Sequence, residues 1–233
     1  MNKRLTVLLA ALIFLLTVII LMPMGNAVSA TQTDSFTDVP ADAFYYDAVN
    51  WAVEQNITQG MGSGQFQPNA TCNRAQVVTF LWRLAGKPAA AGENIFADVE
   101  TGSWYAEAVL WAVEQNITDG MGAGQFQPDG TCNRAQIVTF LWRYAGKPAA
   151  NAENPFADVE EGSWYADAVA WAVENGITTG LSQTSFGPNE PCNRAQVVTF
   201  LYRYAAETPE PPVTEPPETE PTEPDWGIGG EDF

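Results

Sequence analysis

The chain has 233 residues, 46% of them hydrophobic, a formal charge of −18 and no histidine. Its apolar content is that of a folded protein, and its acidity excludes nucleic acid and anionic membrane surfaces as partners of the whole molecule. The lack of histidine removes Ser-His-Asp and Cys-His nucleophile systems, and with them the commonest ligand for zinc or copper.

Residues 1–30 read as a signal peptide. Lys3 and Arg4 precede an unbroken apolar run from Leu5 to Met22, and Val28-Ser29-Ala30 offers small residues where a signal peptidase cuts. Pro23 and Gly25 break any helix before that point. The run is long enough to just span a bilayer, so a retained anchor is the alternative reading. Either way the chain is exported, and once the signal is removed no membrane association is expected.

Beyond the signal the sequence repeats. Phe36-Thr37-Asp38-Val39 recurs at Phe96 and Phe156, Trp51-Ala52-Val53-Glu54 at Trp111 and Trp171, and Cys72-Asn73-Arg74-Ala75-Gln76 at Cys132 and Cys192, each at a spacing of 60 residues. Three units of one fold are therefore expected, over 31–95, 96–155 and 156–206. Within a unit two helices are predicted. The first runs from about Phe44 to Gln55, with Tyr45, Ala48, Val49, Ala52 and Val53 on one apolar face. A glycine-rich loop, Gly60 to Pro68, follows.

The second helix starts at Asn73, with Gln76 at capping-box spacing. Val77, Phe80, Leu81, Leu84 and Ala85 form its inward stripe, Val78 and Trp82 add a second apolar edge, and Gly86 and Pro88 stop it. No period-2 segment stands out, so the fold reads as all-α: three helix-loop-helix repeats that must share a core. Linear stacking and closure about a pseudo-threefold axis both satisfy the periodicity. Residues 207–224 alternate Pro, Glu and Thr and read as an extended spacer. A tail, 225–233, is too short to fold alone.

Without the signal, eight basic residues stand against 28 acidic ones, a net of −20. All eight lie in or just after a second helix. Arg83, Arg143 and Arg203 are expected in the last turns, where a cation meets the negative end of the helix dipole. Arg74, Arg134 and Arg194 instead follow the N-caps Asn73, Asn133 and Asn193, where an acidic residue is normally preferred. A guanidinium beside free backbone N–H groups, with the glycines Gly60 and Gly62, Gly120 and Gly122, or Gly180 just upstream, makes an anion site. An intramolecular pair with Asp38, Asp98 or Asp158 is the competing reading.

Other constellations are weaker. Cys72, Cys132 and Cys192 share one position; small buried hydrophobes are expected there, with pairing of two near an axis or a three-cysteine metal site as alternatives. Trp51, Trp111 and Trp171 fall off the main apolar face, and pack between repeats or offer a platform for a sugar ring. Asn56-Ile57-Thr58 and Asn116-Ile117-Thr118 match a glycosylation acceptor too short to carry weight. The acidic residues recur threefold, whereas a glycosidase needs one asymmetric carboxylate pair. No P-loop, zinc motif or EF-hand spacing is present. The chain reads as non-catalytic, with no cofactor and no metal.

The ordered pattern Phe-x-Asp-Val, an aromatic pair, Ala-Val-x-Trp-Ala-Val, Gly-Ile-x-x-Gly, Phe-x-Pro and Asn-Arg-Ala-Gln, over residues 36 to about 206, resembles the S-layer homology domain in three tandem copies. The resemblance implies a pseudo-trimeric helical bundle whose inter-repeat grooves bind secondary cell wall polysaccharide, commonly pyruvylated, at a bacterial cell surface. The family's Thr-Arg-Ala-Glu motif falls on Asn73-Arg74-Ala75-Gln76 and its two copies, with Asn for Thr and Gln for Glu, which drops one negative charge beside the ligand. The third repeat, Gly180-Leu181-Ser182-Gln183-Thr184-Ser185-Phe186, lacks two of the loop glycines and is expected to hold the weakest site. The alternatives are a self-associating surface-layer subunit and an adaptor whose acidic tail captures another protein.

Overall fold

Each repeat caps its second helix with the polar pair expected. The computed structural model describes residues 36–207; the predicted export signal, most of the Pro/Glu/Thr segment and the tail lie outside them. Six helices follow in order: α1 (Tyr46–Glu54), α2 (Arg74–Leu84), α3 (Ala106–Glu114), α4 (Arg134–Tyr144), α5 (Ala166–Glu174) and α6 (Arg194–Glu207). Among the described residues β structure is limited to three isolated bridges. At the start of α2 the Asn73 side chain accepts from Gln76 N–H at 2.8 Å, while the Gln76 side chain accepts from Asn73 N–H at 3.1 Å. The same box opens α4 and recurs between Asn193 and Gln196.

The ends obey local chemistry. Gly86, at φ +82°, closes α2: its N–H reaches the carbonyl of Arg83, and Lys87 N–H reaches that of Trp82. This left-handed stop needs a residue without Cβ. In the third repeat Ala206 stands at that position, and α6 continues to Glu207. The first helices are shorter than predicted. Each begins one or two residues after its aromatic pair, with Tyr45, Tyr105 or Tyr165 at an N-cap that has no side-chain cap.

Helices of one repeat do not form a hairpin. α2 packs on α3 of the next repeat, α4 on α5, and α6 returns to α1. The repeats therefore close into a pseudo-threefold ring, and linear stacking is excluded. The ring is drawn tight by backbone at its centre: Cys132 N–H donates to Cys72 C=O, Cys192 N–H to Cys132 C=O, and Cys72 N–H to Cys192 C=O, at 3.0, 3.1 and 2.9 Å. The three cysteines are fully buried and unpaired by disulfide. Burial pushes the thiols of Cys72 and Cys192 up to about 12, and that of Cys132 higher still.

The core is continuous through all three units. It includes Val49, Ala52, Val77, Val78, Phe80 and Leu81 with their counterparts, and Phe66, Phe126 and Phe186 are its largest fully buried side chains. Leu84 and Ala85, expected inward, sit half-buried at its margin.

Candidate functional site

The arginines after the N-caps are buried and are not paired with the aspartates. Arg74, Arg134 and Arg194 are 2%, 3% and 2% exposed, and among the described residues none forms an ion pair with Asp38, Asp98 or Asp158. Each instead crosses to another repeat. Arg74 Nε–H donates to Phe126 C=O at 2.8 Å, Arg134 to Phe186 C=O at 2.7 Å, and Arg194 to Phe66 C=O at 2.8 Å. The guanidinium lies between two aromatic rings; for Arg74 these are Phe126 at 4.7 Å and Phe140 at 5.4 Å.

The aspartates hold the same peptide from its other side. Asp98 Oδ1 accepts from Phe126 N–H and Oδ2 from Gln127 N–H, at 2.8 and 2.7 Å; Asp38 and Asp158 repeat the arrangement. Desolvation raises the Asp158 carboxyl, but N–H bonds from Phe186 and Gly187 and the Ser185 hydroxyl together outweigh it and hold the group below its ordinary value. Burial lowers the guanidinium of Arg74 from its usual range, against the opposing pull of Cys132 and Asp98. Arginine nevertheless stays charged.

This crossing corrects the pairing of arginine with loop. Arg74 does not serve the glycine loop upstream of it; it is delivered to the loop of the second repeat, Arg134 to that of the third, and Arg194 to that of the first. A groove of about 370 Å³ results, lined by Arg74, Thr118, Gly120, Met121, Gln136, Thr139, Arg143 and Trp164, among others. Three repeats thus contribute to one groove: an arginine from the first, loop and helix from the second, and an aromatic ring from the third.

Gly60, Gly120 and Gly180 are required by the loop itself. All have φ near +80°, and a Cβ at Gly120 would lie 2.4 Å from Phe96 Cε1 and 2.6 Å from Gln125 C=O. Gly62 and Gly122 also have positive φ but face open space. Asn73, Asn133 and Asn193 are half-buried, with their side-chain oxygens committed to the capping boxes.

The tryptophan platform is corrected. Trp111 and Trp171 are 3% and 4% exposed and pack on Tyr144 and Tyr204, so neither presents a ring face to a sugar. Leu84 stands where those tyrosines stand, and Trp51 stays half-buried against Tyr202. Among the described residues the aromatic groups that do face solvent are Phe44, Trp104 and Trp164, 73%, 60% and 59% exposed, each edge-on to the following tyrosine. Their signal in the sequence was an aromatic residue just ahead of the helical stripe that begins at Tyr45. Arg83, Arg143 and Arg203 each donate from Nη1 to a loop carbonyl of their own repeat, Ile57, Ile117 and Ile177, at 3.0–3.2 Å. They tie loop to helix, which is more than the dipole role predicted.

Among the described residues no group of three or more Cys, Asp or Glu is arranged to hold a metal ion, and no helix is long and apolar enough to cross a membrane.

Fold and grooves together define a three-repeat helical module closed on a pseudo-threefold axis, with its solvent-facing clefts between repeats. A family model, the S-layer homology domain, matches residues 35–78, 95–138 and 155–198, more than half of the chain. The chain belongs to that family. It is 27% identical over 176 residues to an S-layer protein of Bacillus thuringiensis subsp. finitimus, a match covering 74% of this chain and 21% of that protein. It is also 27% identical over 154 residues to a cellulosome-anchoring protein of Acetivibrio thermocellus, covering 62% and 34%. A third relative, an amylopullulanase of Thermoanaerobacterium thermosulfurigenes, is 28% identical over 174 residues, covering 72% and 9%. The chain thus spans about a fifth of the length of the S-layer relative and less than a tenth of the enzyme.

Proposed function

We propose that this protein is a non-catalytic module that holds itself on a bacterial cell surface by binding an anionic, pyruvylated wall polysaccharide. The observation that carries the reading is the groove at Arg74. It brings together a buried guanidinium, a second arginine, Arg143, a left-handed glycine, Gly120, and an exposed indole, Trp164. A fixed cation suits a carboxylate and an indole suits a sugar face. The relatives support the same reading. They include an S-layer protein, a cellulosome-anchoring protein and an amylopullulanase, and the shared segment is about a third or less of each. A segment common to such different proteins fits attachment better than catalysis or lattice formation. Parallel grooves would raise avidity without any one being tight.

The test is sedimentation of the purified protein with wall sacculi before and after their polysaccharide is stripped. The protein should pellet with intact sacculi and remain in the supernatant with stripped ones. Retention on stripped sacculi overturns the proposal and favours self-association or a protein partner.

A further inference from the structure

The three arginine–loop contacts are built alike, but the groups around them are not equally satisfied by the protein itself. In the groove of Arg74 and the second-repeat loop, Arg74 Nη2 is buried without a partner, and so is Thr139 Oγ1. In the other two, the corresponding nitrogen of Arg134 bonds Thr178 Oγ1, and that of Arg194 bonds Thr58 Oγ1, both at 3.4 Å. Of the hydroxyls equivalent to Thr139, Thr79 Oγ1 in the first repeat is likewise without a partner and Thr199 in the third donates to Ala195 C=O at 2.7 Å, so it is the arginine nitrogen that sets the Arg74 groove apart. A buried donor left unpaired is costly, so the Arg74 groove has the most to gain from an acceptor supplied from outside. Trp164 lines this groove; the equivalent position is again tryptophan, Trp104, in the second repeat but Phe44 in the first.

The same groove holds an internal anion. Asp119 Oδ2 pairs with Arg143 Nη1 at 3.1 Å, and the Asp119 side chain is 81% exposed. Gln59 and Thr179 occupy that position in the other repeats, so the second cation of their grooves has no carboxylate beside it there. We propose that Asp119 is a specificity-determining residue of the Arg74 groove, where, alone of the three equivalent positions, a carboxylate competes with an anionic ligand for the second arginine. The carboxylate of Asp119 engages Arg143 in the empty groove and yields it when the carboxylate of a ligand arrives. The aspartate tempers affinity for anions and leaves a neutral sugar unaffected. This rests on the reading of the grooves as polysaccharide sites. Because Asp119 is exposed, its displacement from Arg143 is cheap, and neutral residues at the equivalent positions show that the loop accepts them.

The test uses the purified protein and Asp119→Asn, titrated with the methyl glycoside of a hexosamine carrying a pyruvate ketal and with the same glycoside lacking the ketal. The indole N–H resonances of Trp164 and Trp104, assigned with tryptophan-to-phenylalanine variants, report two grooves separately. With the ketal probe, the Trp164 midpoint should move in Asp119→Asn to a concentration lower by about three- to tenfold, as expected for removing one exposed like charge near the ligand. The Trp104 midpoint should not move, and the response to the neutral glycoside should be the same in both proteins. A Trp164 midpoint unchanged or raised by Asp119→Asn overturns the inference while leaving the polysaccharide reading in place. If no indole responds to the ketal probe in either protein, the polysaccharide reading itself fails, and this inference with it.

Discussion

Replacing Arg194 with methionine tests whether the buried arginines close the ring. Arg194 belongs to the third repeat, yet its Nε–H holds Phe66 C=O of the first at 2.8 Å, and its guanidinium lies 4.7 and 5.5 Å from the ring centres of Phe66 and Phe80. Losing a hydrogen bond from a charged donor costs about 1.5–3 kcal/mol, and losing the aromatic stacking about 0.5–2 kcal/mol. Methionine recovers part of the volume and relieves the burial of a charge, which offsets some of this. The net loss should be about 3 kcal/mol, a fall of about 1.5 M in the urea midpoint for a slope near 2 kcal/mol/M. Arg203→Met is the control. That arginine is half-buried and reaches a carbonyl of its own repeat at 3.2 Å, so its midpoint should fall by less than half as much. Equal shifts for the two variants, or a shift under about 0.5 M for Arg194→Met, would refute ring closure by this contact.

The thiols and the loop glycines give two further predictions. Cys72, Cys132 and Cys192, buried with raised pKa values, should be silent to a disulfide reagent at pH 8 in the folded protein, and all three should react once guanidinium unfolds it. Reaction in the native state would mean that the axis opens. Gly120→Ala should destabilise by about 2 kcal/mol or more, because the new Cβ collides with Phe96 and with a backbone carbonyl. Gly122→Ala, strained by φ alone in open space, should cost about 1 kcal/mol; thermal unfolding of the pair checks the difference.

The period, the two helices of each unit, the capping boxes and the glycine stops could be read from the chain alone, because each helix, cap and stop depends on residues within a few positions of one another. The mainly helical class and the membership signalled by the ordered motif were legible for the same reason. The sequence also singled out Arg74, Arg134 and Arg194 as out of place for their helix dipole. Their destination was not legible. A repeat of 60 residues is compatible with stacking or closure, and only the tertiary structure, through the cysteine backbone ring and the return of α6 to α1, decided for closure. Closure sends each arginine to a loop other than its own, places a groove among three repeats, buries Trp111 and Trp171, and leaves Trp104 and Trp164 exposed. Those outcomes turn on contacts between residues some 50 to 130 positions apart, which no local pattern encodes.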